Sequence, residues 1–275
     1  MTYTQIRSER RGRVGWITLD RPQFRNAQSR VLLEELDDAF AAAGADDEIR
    51  VVVLAGAGEH FSSGHDLGTP EEKEDATRRP WAEGVRGQLE RTWDLHVEKS
   101  LRWRDLPKPT IAAVQGYCIF GGYLVASVMD LIVAAEDARF LPAHVQLFTA
   151  PWDLGIKKSK EVLFENRFIE ADEALELGFV NKIVPRAELE SETLAMAERI
   201  ASQDLLSLRM TKFSINQAQD AMGFRTSAHA AHSNFMVLAS GGVIRKGGEG
   251  ERRTAPGAES RTLKAEDATK LADTA

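Results

Sequence analysis

Two stretches of this sequence limit its fold more than any others: VVVLAGAGEHFSSGHDL at 51–67 and IAAVQGYCIFGGYLVA at 111–126. Each opens with a short apolar run that does not alternate with polar residues. Such a run suits a strand covered on both faces, as in a sheet packed between layers of helix. Each then turns through glycines and small residues into a polar or helical continuation. Strands of this kind alternating with helical periodicity place the chain in the α/β class.

The surrounding pattern agrees. TQIRSERRGRVGWITLD reads as two strands joined at Arg11-Gly12, with Val14, Trp16 and Thr18 on one face and Ile17 and Leu19 on the other. Ser29 is placed to cap a helix carrying Leu32, Leu33, Leu36 and Phe40, which Gly44 closes. The segment 50–58 is a buried strand, 68–80 a polar loop, and 81–106 a helix stopped by Pro107 and Pro109. TIAAVQGYCI reads as one strand, GGYLVASVM as a helix, and DLIVAA, ARFL and FVNKIV as strands, with a short helix at 169–177. Helices follow at 186–202, 204–222 and 226–239. This divides the chain into a core at 1–200, a helical region at 201–240 and a Gly- and charge-rich tail at 241–275.

Composition removes several functional classes. With 275 residues and a net charge of −7, the chain lacks the basic footprint of a duplex nucleic-acid binder. The N-terminal residues contain no apolar signal core, and no apolar run is long enough to span a bilayer. A single cysteine, Cys118, rules out an internal disulfide and fits a cytoplasmic setting. It reads as an inert buried thiol. His229 and His232 lie three apart on a helix with no third ligand evident, so they read as a packed or solvated pair and no metal is expected.

The glycine turns raise a chemical question. Gly121 and Gly122 stand where a helix begins, so their N–H groups have no intrahelical acceptor. Ser63-Gly64-His65 offers another main-chain N–H from a tight turn, with Asp66 folding back to hold it. Two such donors aimed at one oxygen form an oxyanion hole, which stabilises an enolate without titrating. Glycine pairs after strands also serve as plain turns, and nothing in the spacing alone separates the two uses.

At this point the sequence resembles the enoyl-CoA hydratase/isomerase, or crotonase, superfamily. The resemblance rests on LDRPQFRNA (19–27), the two glycine segments, KPTIAAVQGYCIFGGYLVASVMDLIVAAEDARF (108–140), EALELGFVNKIVP (173–185) and LSLRMTKFSINQA (206–218). It implies a spiral of ββα units with a C-terminal helical trimerisation region, assembled as a homotrimer or hexamer. It implies an acyl-CoA thioester as substrate and no separate cofactor, coenzyme A arriving as part of that substrate. The backbone N–H groups of His65 and Gly121 match the family's oxyanion donors, with Ser63, Gly64, Asp66 and Gly122 around them. Arg25 and Lys212 fall in segments that meet coenzyme A in relatives, although Lys212 is equally readable as a solvated lysine.

The sequence departs from the hydratases where they carry two glutamates. Leu124 stands at the first position and, by ungapped counting, His144 at the second. A leucine moves no proton, so two-carboxylate hydration is in doubt. His144 is either a general base or a packed loop histidine. Asp153 lies where some relatives, similar to chlorobenzoyl-CoA dehalogenase and dihydroxynaphthoyl-CoA synthase, carry a catalytic aspartate. It reads equally as the N-cap of a helix starting at Leu154. Tyr117, Phe120, Tyr123, Phe148 and Trp152 suggest a broad apolar or aromatic acyl group. The main expectation is an acyl-CoA enzyme with an oxyanion hole and atypical acid/base residues. The alternative is an acyl-CoA-binding or assembly subunit with little catalysis.

Overall fold

The computed structural model describes residues 2–142 and 149–240. The first hairpin, β1 (Ile6–Arg11) and β2 (Val14–Leu19), is antiparallel. A single helical turn at Pro22–Phe24 leads to α1 (Arg30–Ala45), whose first turn is capped by Ser29: its Oγ accepts from the Leu32 N–H at 3.0 Å. The helix runs through Gly44 and ends one residue later than expected. β3 (Val51–Gly56) then pairs parallel with β2.

Residues 68–80, expected as a loop, contain α2 (Pro70–Arg78). Its signals are local: Thr69 caps it, Pro70 occupies the first helical position, and Glu71 and Glu72 fill the first turn. It buries no residue of its own, so apolar periodicity gave no hint of it. The next helix is interrupted. α3 (Gly84–Thr92) passes through a π-helical turn at Trp93–Glu98 into α4 (Lys99–Arg104). The widened turn adds a residue to the helical circuit and shifts the faces that follow.

The stretch read as one strand is two. β4 (Thr110–Val114) continues the main sheet, whereas β5 (Tyr117–Ile119) starts a second. Gly116 makes the break at φ +52°, and a Cβ there would lie 2.3 Å from the Glu59 carbonyl oxygen. Gln115 fastens the corner by donating to the carbonyls of Gly56 at 2.6 Å and Gly58 at 3.2 Å. After α5 (Gly121–Ser127) come β6 (Leu131–Ala135) and β7 (Arg139–Leu141), then α6 (Ala150–Asp153) and α7 (Ile156–Glu165). β8 (Ile169–Glu170), α8 (Ala171–Glu176) and β9 (Lys182–Val184) complete the sheets. Three helices follow: α9 (Leu189–Ala201), α10 (Leu205–Ala221) and α11 (Phe224–Ser240).

The main sheet has the order β1-β2-β3-β4-β6-β9, parallel after the first pair, and the second has the order β5-β7-β8. Alternation sorts the strand residues between two cores. Ile17, Leu19, Val52, Leu54, Ala112 and Val114 pack on the α1 side. Val14, Trp16, Val51, Val53, Ile111 and Ala113 pack with Leu189, Ala197 and Ala201 of α9. Cover on both faces is the physical reason for the unbroken apolar runs. Among the described residues no helix is long and apolar enough to cross a membrane.

The α1 cap ties this helix to the loop that precedes the site. Replacing Ser29 with alanine should cost about 1–2 kcal/mol of stability. A urea titration with unchanged slope and a lowered midpoint is the expected result.

Candidate active site

Main-chain hydrogen bonds lace the two glycine turns together. The Ser62 N–H donates to the Tyr117 carbonyl and the Ile119 N–H to the Ser62 carbonyl, both at 3.0 Å, forming an isolated parallel bridge between Ser62 and Cys118. Two residues on, the turn pairs with the loop before α1. The Gln28 N–H donates to the Gly64 carbonyl at 2.8 Å, and the Asp66 N–H donates to the Gln28 carbonyl at 2.9 Å. In a parallel bridge of this kind the enclosed residue, His65, turns its own N–H and C=O away from Gln28.

Glycine is required at three points of this contact. Gly64 has φ +90°, and a Cβ on it would stand 2.7 Å from the Ile119 carbonyl oxygen and 3.1 Å from the Gly121 nitrogen. A Cβ on Gly122 would stand 2.6 Å from the Ser62 carbonyl oxygen. One on Gly121 would meet Gln28 Oε1 at 2.4 Å and the His65 ring at 2.7 Å. Phe120, between the strand and α5, adopts φ +48°, a costly conformation for a residue with a side chain. Its N–H is held by the Leu141 carbonyl at 2.8 Å. Gly121 follows as the first residue of α5, and among the described residues no hydrogen bond engages its N–H.

A buried ion pair fixes the SSGHD turn from behind. Arg21 is 1% exposed and donates to Asp66 at 2.9 Å, to Glu71 at 2.6 Å and to the Ala27 carbonyl at 2.6 Å. The Asp66 carboxylate also accepts from the N–H groups of Gly68 and Thr69 and from the Thr69 hydroxyl. Burial opposes ionisation of Asp66, but those donors outweigh it and hold the carboxyl below its usual range. As the sequence suggests, Asp66 folds back to hold the turn, and its fully enclosed side chain does not face a ligand. Arg21 was not singled out from the sequence, because a lone arginine before proline carries no burial signal.

A narrow cavity, too tight for a water molecule in this conformation, lies against this junction. It is lined by Gln28 and His65 on one side and by Gly121, Leu124 and Val125 of α5 on another. Leu95, His96, Ser100 and Trp103 of the 84–104 helix close it. His65 and His96 face each other with ring centroids 3.8 Å apart. Burial, and secondarily the neighbouring His65, hold His96 well below its ordinary pKa, so it is neutral at neutral pH. The expected aromatic wall lies elsewhere. Tyr117 packs on His60 and Phe168, Tyr123 on Phe179, and Trp152 against Phe224. Phe148 lies outside the described residues, as does His144.

Other expected site residues are not brought to this cavity. Lys212 is buried on α10, where its ammonium donates to the Lys108 carbonyl at 3.0 Å and pairs with Asp130 at 2.8 Å. It anchors α10 to the sheet, and its charge is already spent. Asp153 is the last residue of α6 and caps nothing, since α7 starts after Gly155. It lies 3.4 Å from the Tyr123 hydroxyl. Residues of a helix are about 100° apart, so Tyr123 leaves α5 on the side opposite Gly121, Leu124 and Val125. Arg25 stays close: it has φ +51° in the loop before α1, and its carbonyl accepts from the Ser63 N–H at 2.9 Å. His232 contacts Thr92 Oγ1 at 2.9 Å and both it and His229 pack on Trp93.

The family assignment follows from comparison. The family model for enoyl-CoA hydratase/isomerase matches residues 9–256. The chain belongs to that family. A relative from Mycobacterium tuberculosis named as an enoyl-CoA hydratase, EchA13, is 41% identical over 78% of this chain and 73% of its own length. A Rhizobium meliloti relative, also named as an enoyl-CoA hydratase, is 33% identical over 86% of this chain and 91% of its own. A Mycobacterium smegmatis crystal structure described as an enoyl-CoA hydratase superposes with TM-score 0.79 at 35% identity, covering 87% of this chain and 97% of that one. An enoyl-CoA hydratase/isomerase structure from Xanthobacter autotrophicus Py2 gives 0.77 at 30% identity, covering 99% and 98%. The fold is therefore crotonase-like with a C-terminal helical region, and the chain is an acyl-CoA-processing enzyme of the enoyl-CoA hydratase/isomerase type. Leu124 lines the cavity one turn along α5 from Gly121.

Burial pushes the Asp153 carboxyl up to about 7, against hydrogen bonds from Thr149 and Tyr123 that pull it down. A raised carboxyl stabilises the fold below the ordinary carboxylate range, and that contribution is lost as pH rises through about 7. The Asp153→Asn variant should therefore gain stability relative to the parent between pH 4 and 7 and hold the gain at pH 8. A pH-independent difference in unfolding free energy would contradict this.

Proposed function

We propose that this enzyme grips the carbonyl oxygen of an acyl-CoA thioester between the main-chain N–H groups of His65 and Gly121 as negative charge builds on it. The close contact of Gly64 with the Gly121 nitrogen carries the reading, together with the unengaged Gly121 N–H. An amide pair of this kind stabilises an enolate, and one such donor is worth about 3–4 kcal/mol in a dry site. Arg25, Ser63, Gly64 and Gly122 shape the rim and floor on which the thioester rests.

The proton is moved by an imidazole rather than a carboxylate. Leu124 has no proton to exchange, and Asp153 lies behind α5. His65 and His96 are the titratable groups lining the cavity among the described residues. The reaction class that suits this set is enolate-forming chemistry at the α-carbon, as a lyase or isomerase. A neutral histidine supplies one N–H and one lone pair, enough to take a proton from one carbon and return it to another.

The chain also works as a homotrimer or hexamer. α10 buries only Lys212 on its own subunit, yet it carries Leu206, Met210 and Phe213 at spacings of four and three, 63%, 46% and 55% exposed. An apolar stripe on one helix face is the usual mark of a subunit interface.

A panel of CoA thioesters with mass-spectrometric detection of products tests the catalytic reading. At least one thioester should turn over, and Gly121→Ala should lower its kcat/KM by at least tenfold by driving a methyl group into Gln28 and His65. Binding without turnover on the whole panel would leave an acyl-CoA-binding subunit. The assembly is tested separately. Light scattering should give three or six copies, and a Leu206→Glu, Phe213→Glu double variant should fall to monomers. A monomeric parent protein would remove the interface.

A further inference from the structure

The gap beside Gly121 is too tight for a water molecule, so whatever enters it needs the 84–104 helix to move. That helix is fastened unequally along its length. α4 buries Leu101, Trp103 and Arg104. Trp103 donates to Asp37 at 3.0 Å and stacks on Phe40, and Arg104 donates to Gln219 at 2.7 Å and to the Asn216 carbonyl at 3.0 Å. α3 buries only Gly87 and Thr92, and its Val85 and Leu89 are exposed. It begins at Gly84, which has φ +72° and open space around it. The π-helical turn at Trp93–Glu98 joins the two halves. α3 docks on α11 at that joint: Thr92 Oγ1 meets His232 Nε2 at 2.9 Å, and Trp93 packs on His229 and His232.

Two buried histidines stand at this junction. His232 is 3% exposed, and His96 lines the gap with its ring 3.8 Å from that of His65. Burial lowers the pKa of both. The groups that act most strongly on His96 after burial are all cationic when charged: His65, Arg91, His232 and Lys99, the last paired with Asp94 at 2.8 Å. His232 faces His229. Gln28, Leu33, Leu124 and Val125, on the other walls of the gap, carry no charge.

We propose that these histidines form a proton-operated latch: acid releases α3 from α11 about the π-helical turn and opens the gap against Gly121. Undocked, each ring regains the ordinary histidine value near 6.5; docked, it stays neutral to lower pH. The latch is therefore fully closed above about pH 6.5 and weakens as pH falls below it. One such histidine shifts the opening equilibrium about tenfold between pH 7.5 and 5.5. α4 stays in place, because Trp103 and Arg104 hold it through bonds that involve no histidine. The latch stands apart from the acyl-CoA reading, and its test needs no ligand.

Hydrogen exchange of the full chain, read by mass spectrometry as protection factors so that the intrinsic pH dependence of exchange cancels, provides that test. From pH 7.5 to 5.5, protection across 84–98 should fall at least about tenfold, while β2, β3 and β4 keep theirs. A His96→Leu, His232→Gln double variant should hold protection across 84–98 constant to within about twofold over that range. His232→Gln alone should lessen the fall and decides the matter if the double variant does not fold. Unchanged protection across 84–98 in the parent protein, a loss shared equally by the main sheet, or the same loss in the variants would overturn the latch.

Discussion

The site depends on two stretches of backbone touching without a side chain between them. Gly64, Gly121 and Gly122 each lie so close to the opposing main chain or its side chains that a single methyl group would force movement. The contact is held by hydrogen bonds between amides, which do not vary with side-chain identity, so the arrangement is rigid where it matters. Phe120 at φ +48° stores part of the strain needed to turn the chain into α5, a conformation costing about 1–3 kcal/mol for a non-glycine residue. Such a cost persists only because the Leu141 carbonyl, the Ser62 bridge and the α5 helix all fix neighbouring atoms.

Behind that contact, charge does what apolar packing cannot. Arg21 joins three segments through the enclosed Asp66, the half-exposed Glu71 and the Ala27 carbonyl. Loops carry many unpaired backbone groups and little apolar surface, so a branched cation with several donors is an efficient way to hold them in one geometry. The Lys212–Asp130 pair does the same for α10, with Asp130 also accepting from the Thr110 N–H at 2.7 Å. Both pairs are structural uses of residues that, in a sequence, look equally suited to binding phosphate.

How far the sequence revealed this varied with the kind of signal. The sheet strands, the Ser29 cap and the glycine turns announce themselves through short-range rules of burial, capping and backbone freedom. The β4–β5 break was hidden because Gly116 sits in an apolar run whose two halves look continuous, and only the crowding against Glu59 explains it. α2 was hidden because it buries nothing, although Thr69-Pro70-Glu71-Glu72 is a helix start by composition. Gln28, His96 and Trp103 come to the cavity from loops and helices far apart in sequence, and a π-helical turn that no periodicity reveals aims one of them. Asp153 shows the opposite failure. Its placement on the far side of α5 depends on which way Tyr123 points, which a count along the chain does not give.

With leucine rather than a carboxylate at Leu124 in the cavity wall, the electrostatics of the proposed reaction change in two opposing ways. A carboxylate about 4 Å from a forming enolate would repel it by about 4 kcal/mol at an effective dielectric constant near 20. Leucine removes that repulsion and also dries the wall, which strengthens every remaining dipole acting on the oxyanion. Against this stands the loss of a general base, worth about 10²–10⁴ in rate, or roughly 3–5 kcal/mol. The two terms are of similar size. A neutral imidazole in the same cavity places no negative charge beside the enolate, so the repulsion stays absent, but the burial that keeps His96 neutral also opposes its taking up a proton. In the proposed reaction the amide pair then carries more of the stabilisation than it would next to two glutamates, so that reading gives the glycine contact more weight than any titratable residue.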